Sequence, residues 1–449
     1  MHAADLANAD FSDHSLSLLR KNLLVDGVAT SVGLVLQFLV LLVVARELPG
    51  DQYAAYVLAS ATIAVGEMCS DFGMRMWAVR QYSLGAPVAR TLRQSFEVKA
   101  VWTSLFLIAV MANSSGRGAL LQPVAIALIA FTQPSSDPVL WCFRGREHIF
   151  IDSIVTFVWR VSLAIVTGTL AYSGALLLPI LMGWLAVNVG RLVLEGIFLA
   201  RRIPAAVPVH ADVVPPEIRL PALLRQIIPV GGAFVLTSLY QRVGVFMLDK
   251  MSSSAGVAAY GTAFSLVNVP GFLSVSIAAA LFPRMSRATQ ERASQTAKKT
   301  LDTGLILIGT LYAVGAVVGT VCAPWVLGKL LPLRLQSATT VVQVLLPGLY
   351  ISTLSVFLKY CLNALGRNVF DAAVSAIGIG IFALVLLMGV RGRAAIAAAI
   401  AWNVGELAIF VMRGVAIHKD ARIPARSLVL AGCGYPVVCL LCYSLARLV

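Results

Sequence analysis

Runs of about 20 apolar residues, each long enough to cross the roughly 30 Å hydrocarbon core of a bilayer, recur along almost the whole of this chain. They lie at 23–45, 53–73, 97–113, 119–142, 150–172 and 175–199, resume at 227–248, 256–283, 302–323, 338–362, 369–390 and 394–417, and end with 427–447. Composition agrees: 59% of the residues are hydrophobic and 12% are charged, with a mean hydropathy of +0.86. A soluble domain is about 45–50% apolar and about 25% charged, so no water-bounded core could hide this surface. A soluble enzyme, a disordered chain and a secreted disulfide scaffold are excluded. An outer-membrane barrel is excluded too, because its strands alternate in polarity instead of running apolar. The chain is predicted to be an all-α polytopic membrane protein.

The runs fall as six spans, then six, then one, within a range of 12–14. Between the two sets, residues 200–226 hold Arg201-Arg202 and the prolines Pro204, Pro208, Pro215, Pro216 and Pro221. Proline has no amide donor and holds the chain extended, so this stretch cannot span. The expected organisation is an N-terminal segment 1–22, a first lobe of six helices over 23–199, a linker 200–226, a second lobe over 227–417 and an extra C-terminal helix at 427–447.

Lys and Arg total 35 against 21 Asp and Glu, a net charge of +14. Sorted by loop, the excess reads as topology. With the N-terminus inside, Arg46, Arg117, Lys250, Lys329, Arg334, Arg391 and Arg393 are the outer bases, and the inner stretches hold about three times as many, the bias of cytoplasmic loops. The N-terminus and the 200–226 linker are therefore expected on the cytoplasmic side. The charge calls for anionic lipid as a partner, not nucleic acid.

No nucleotide-binding loop, zinc-hydrolase, serine-hydrolase or dinucleotide motif occurs. Outer loops are short, and the longest, roughly 324–337, has room for little more than one interfacial helix. The five histidines lie in loops or the N-terminal tail. Cys439 and Cys442 have CxxC spacing but sit in an apolar run without a second pair, so they read as buried hydrophobes. No metal and no cofactor is expected. Function must reside inside the bundle, and a transporter, not an enzyme, is the default.

Charges inside spans carry the rest. At a helix centre each costs about 2.5–3.5 kcal/mol to insert. Arg160 lies near the middle of its span and reads either as a structural arginine or, preferably, as a cavity cation. Guanidinium matches the oxygens of a phosphate and keeps its charge when buried. Arg242, in the second set, is a candidate of the same kind. Arg191 has Glu195 one turn on, so a neutralised pair and a substrate contact remain open. Lys359, near the inner end of its helix, can snorkel to headgroups or reach substrate. Among acids, Asp26, Glu67, Asp137 and Glu406 are candidates for ion coupling, since burial favours a protonated carboxyl. Asp137 stands between Pro134 and Pro138, where a helix break would bare backbone beside an acid.

Several strings resemble those of a known family. Ala45-Arg46-Glu47-Leu48-Pro49-Gly50-Asp51-Gln52-Tyr53 is similar to the turn after the first helix of polysaccharide repeat-unit flippases. Ser70-Asp71-Phe72-Gly73-Met74 is similar to the end of their second helix. Ile228-Pro229-Val230-Gly231 and Ser238-Leu239-Tyr240-Gln241-Arg242 resemble the start of helix seven. Leu281-Phe282-Pro283-Arg284-Met285 and Tyr360-Cys361-Leu362-Asn363-Ala364-Leu365-Gly366-Arg367 follow in the same order. Together they resemble the Wzx-like flippases of the MOP superfamily, whose relatives include MATE exporters and lipid II flippases.

That resemblance implies two lobes around a central cavity with alternating access. It also implies a bacterial inner-membrane location and an undecaprenyl-pyrophosphate-linked oligosaccharide as substrate. Arg160 and Arg242 would then face the pyrophosphate, and a polysaccharide polymerase and a chain-length regulator would be partners. The competing readings are a cation-coupled drug antiporter, which would want an acidic lining, and a lipid II-type flippase. A membrane glycosyltransferase would need paired carboxylates at one face, and none is visible.

Overall fold

The structure is a computed structural model that describes residues 32–33, 35–83, 86–114, 121–135, 137–145, 149–202, 218–290, 294–389, 393–421 and 426–446. Among them every regular element is helical and no strand occurs. Ten helices are long and apolar enough to cross a membrane, as expected where lipid offers backbone groups no partner. The chain is a multi-pass membrane protein. It divides into two compact units, Met1–Val44 with Cys69–Ile227, and Ala45–Met68 with Ile228–Val449. Ala45–Met68 thus joins the second unit.

The first unit takes most of α1 (35–47), and then α3 (Met74–Ser83), α4 (Val88–Ser114), α5 (Leu121–Ser135), α6 (Asp137–Gly145), α7 (Ile149–Tyr172) and α8 (Leu177–Arg202). It opens with the Asp71-Phe72-Gly73 string, which is a turn: Phe72 has φ 37° and Gly73 φ 78°. Glycine adopts that region freely, whereas phenylalanine does so at a cost. Burial holds Phe72 there, with its ring stacked on Trp102 of α4 at 3.7 Å between centroids. Val139, Leu140 and Phe143 of α6 pack on Leu92 of α4 and on Ile151 and Val155 of α7.

The second unit takes α2 (Gly50–Asp71) up to Met68, most of α9 (Leu220–Met251), α10 (Ser254–Asn268), α11 (Phe272–Gln290), α12 (Ser294–Leu330), α13 (Ser337–Ala364), α14 (Asn368–Gly389), α15 (Ala394–Ala421) and α16 (Arg426–Ala446). Helix α9 starts inside the proline-rich stretch, because Pro221 falls in the first turn where no intrahelical donor is needed. Helix α13 is the core of the unit: 78% of its most apolar window is buried, against 17% for α16.

Prolines shape this unit in different ways. Pro324 of α12 cannot donate to the carbonyl of Thr320, and Gln343 Nε2 from α13 fills that place at 3.2 Å. At Val269–Gly271 the chain narrows to a 3₁₀ turn between α10 and α11. There the Tyr312 hydroxyl donates to the Pro270 carbonyl at 2.6 Å and accepts from the Ser274 amide at 3.1 Å. A side chain inserted into the helical ladder is a recognised cause of a bend. Pro347 lies inside α13, which continues through it. Beside it Gly348 leaves room for Trp402 and Asn403 of α15, and Asn403 Nδ2 donates to the Val344 carbonyl at 2.7 Å.

The family-like strings are largely turns and caps. Arg46 donates to the Leu330 and Lys329 carbonyls at the end of α12, at 2.9 and 3.0 Å. Arg334 in turn reaches the Ala45 carbonyl at 2.8 Å and those of Arg46 and Leu48 at the end of α1. Basic side chains there satisfy the last carbonyls of a helix. The Tyr53 hydroxyl is bonded to Thr262 of α10 at 2.7 Å. After α13, Gly366 has φ 72°, the Arg367 amide donates to the Leu362 carbonyl and the Gly366 amide to that of Asn363, both at 3.0 Å. This is the double bond of a Schellman end, which glycine at that position permits.

Candidate functional site: buried charge in each unit

In the first unit, Trp184, Asn188, Arg191 and Glu195 follow one another on α8 at intervals of four, three and four residues, so they share one face. Arg191 Nε donates to Glu195 Oε1 at 2.7 Å, and its Nη2 pairs with Asp137 Oδ1 of α6 at 3.2 Å. The guanidinium also lies over the Trp159 ring of α7, 4.8 Å from its centroid. Trp159 Nε1 donates to Asn188 Oδ1 at 2.9 Å, and Trp184 Nε1 to Gln133 Oε1 of α5 at 2.8 Å. Helices α5 to α8 are thus tied by one polar network. Asp152 of α7, also buried, is in close contact with Arg144 of α6.

Arg160 sits about halfway along α7 and is half-buried. It lies against Gly33, just before α1: a Cβ there would lie 2.5 Å from Arg160 Cδ and from Nη1.

In the second unit, Asp371 of α14 is the hub. It accepts from Arg413 of α15, Nη2 at 2.7 Å and Nε at 2.8 Å, and lies 3.6 Å from Lys359 Nζ of α13. Arg413 Nη1 also reaches the Ser355 hydroxyl at 2.7 Å and carbonyl at 3.1 Å. Lys359 donates to Thr237 of α9 at 3.1 Å. Four helices therefore meet at one carboxylate. Glu406 of α15 is buried beside Tyr240 and Ser352 and within the field of Arg413. Arg242 of α9 is within the field of Glu67 of α2.

Several expectations are placed by this geometry. Arg191 and Asp137 are brought together, with Glu195 as third member. Arg242 has no acid one turn away on its own helix, but α2 supplies Glu67. Lys359 is held by Asp371 and Thr237. Asp26 lies outside the described residues. Asp371, Arg413 and Lys99 are not among the candidates read from the sequence. Both bases are buried; Lys99 lies over the Trp141 ring at 5.0 Å. The one available signal was that Arg413 falls within the apolar run 394–417.

The helices and the apolar surface define a multi-pass membrane protein, and its fold is that of the MOP transporters. A Vibrio cholerae MATE transporter, VcmN, is similar with a TM-score of 0.64 at 12% identity, over 91% of this chain and 98% of that one. The lipid II flippase MurJ in an inward closed conformation is similar with a TM-score of 0.65 at 12% identity, over 95% and 97%. An inward-facing multidrug resistance MATE transporter of the MOP superfamily gives 0.66 at 12% identity, over 87% and 96%. At this identity the likeness concerns the fold. The chain belongs to the polysaccharide biosynthesis protein family, whose family model matches residues 19–289. The MatE model matches residues 229–388. No curated protein sequence matched.

Proposed function

We propose that this protein is a flippase for undecaprenyl-pyrophosphate-linked oligosaccharide repeat units, acting by alternating access between two lobes, 23–199 and 227–417. It works in the bacterial inner membrane with its N-terminus cytoplasmic, and it is a transporter without enzymatic activity. The observation that carries this reading is Arg160, a mid-span guanidinium lying against Gly33, in a chain of a polysaccharide biosynthesis family. A pyrophosphate needs cations that burial cannot neutralise, and Arg160 with Arg242 supply one in each unit. Arg191 and Lys359 are secondary contacts, released from their acids as the anion binds. Asp26, Glu67, Asp137 and Glu406 are the candidates for coupling transport to an ion. A polymerase and a chain-length regulator would take up the product.

The match of the MatE model to residues 229–388 favours a second reading, a cation-coupled small-molecule antiporter. One experiment separates the two. Charge-assisted contacts are worth about 1.5–3 kcal/mol each, so Arg160→Ala or Arg242→Ala should weaken binding roughly tenfold to a hundredfold. Surface polysaccharide should then fall at normal membrane abundance, while Arg→Lys recovers part, since a point charge replaces a planar fork. Full export by both alanine variants at normal abundance would refute the flippase reading.

A further inference from the structure

We propose that Glu195 is a proton-binding site of the first unit, a carboxyl group that takes a proton from the aqueous phase and returns it there while Arg191 is shared between Glu195 and Asp137. The motive is the balance of charge around one guanidinium. Arg191 bonds to Glu195 at 2.7 Å and to Asp137 at 3.2 Å, so two carboxylates divide one positive charge. The remaining acid that acts on Glu195 is Asp152 of α7, and Arg144 of α6 is already in contact with it. The group as a whole therefore carries an excess negative charge.

Glu195 is where that excess is least supported. The residue is 4% exposed, and its Oε2 is buried without a hydrogen-bond partner. Arg191 serves Oε1 alone; a buried acceptor without a partner is costly, and a proton on Oε2 removes its charge. The bond from Arg191 survives protonation, because Oε1 then accepts as a carbonyl oxygen. A metal ion suits the place poorly. It needs several oxygen donors, whereas one carboxylate oxygen is open here beside a guanidinium, and no group of three or more metal-binding side chains occurs among the described residues. Glu195 lies seven residues before the end of α8 at Arg202, about 10 Å along the axis.

Substrate coupling follows, and this step alone rests on the flippase reading. When a pyrophosphate draws Arg191 away, Glu195 and Asp137 lose their shared cation and the proton is held more tightly.

The test begins with the purified full-length protein in lipid nanodiscs without substrate. Infrared difference spectra recorded across pH should show the carbonyl band of a protonated carboxyl that disappears as pH rises. Glu195→Gln should abolish that titrating band, and Glu195→Asp should keep one. Asp137→Asn should move the titration to lower pH, because a repelling charge is gone. An unchanged band in Glu195→Gln, or an unmoved titration in Asp137→Asn, would overturn the proposal. In proteoliposomes carrying a polyisoprenyl-pyrophosphate oligosaccharide, Glu195→Gln should flatten the pH profile of transport. Loss of the infrared band with no transport of that lipid by the wild type would uphold the proton site and count against the flippase reading instead.

Discussion

Replacing Asp371 by alanine would strand two buried cations at once. In the native protein Arg413 holds this carboxylate at 2.7 and 2.8 Å, and Lys359 lies at 3.6 Å. Removing one partner of a buried ion pair costs about 3–5 kcal/mol, most of it the penalty of the charge left behind. Arg413 keeps its bonds to Ser355 and Lys359 keeps Thr237, which points to the lower part of that range. With total stabilities of about 5–15 kcal/mol, the loss is a large share. It corresponds to roughly two to three powers of ten in the folded ratio. At about 2 °C per kcal/mol, the melting temperature of the detergent-solubilised protein should drop by about 6–8 °C. The monodisperse fraction recovered after heating is the measurement. A triple variant, Asp371→Leu with Lys359→Met and Arg413→Met, removes every charge and should regain most of the loss, since apolar replacements of buried ion clusters are often neutral. An Asp371→Ala protein as stable as the wild type would refute the reasoning and free Lys359 for another role.

Gly33→Ala places a methyl group where the Arg160 side chain now lies, so the guanidinium must move. It should lower export as Arg160→Ala does and add nothing in an Arg160→Ala background, as surface polysaccharide in single and double variants will show. Tyr312→Phe deletes the hydroxyl that bridges Pro270 and Ser274. Leaving those backbone groups unmatched costs about 1–3 kcal/mol, and hydrogen exchange at the Ser274 amide should accelerate; unchanged exchange there would mean that the ladder closes without the side chain.

The long helices follow the apolar runs of the sequence, because such a run in lipid has no other way to satisfy its backbone, but α3 lies outside every run and α4, α9 and α12 begin before theirs. Turn chemistry was legible in part. The family-like strings mark 45–53 as a turn and 70–74 as a helix end, whereas the positive φ of Gly366 and the bonds of Arg46 and Arg334 to helix ends came from the structure. The candidate charges were legible as singletons. Arg191 with Glu195 was visible because both lie on one helix, one turn apart. Asp137 and Arg191 are 54 residues apart and Arg413 and Asp371 are 42 apart, and helical periodicity relates residues only along the same helix. Arg413 escaped notice for a related reason: a base near the end of an apolar run shows no partner until a buried acid is found beside it.

What the sequence determined by itself was the solvent of this protein, its helical class, the order of its helices and the residues that end them. These follow from local chemistry: hydropathy over about 20 residues, a missing amide on proline, a free φ on glycine. Tertiary structure alone decided which charges are partners. It set Glu67 of α2 in the field of Arg242 of α9, gathered Lys359, Asp371 and Arg413 from three helices, and left one oxygen of Glu195 without a donor. A helix face can be read from its own sequence, but the face it meets belongs to another segment, and the energy of a buried charge depends on that meeting.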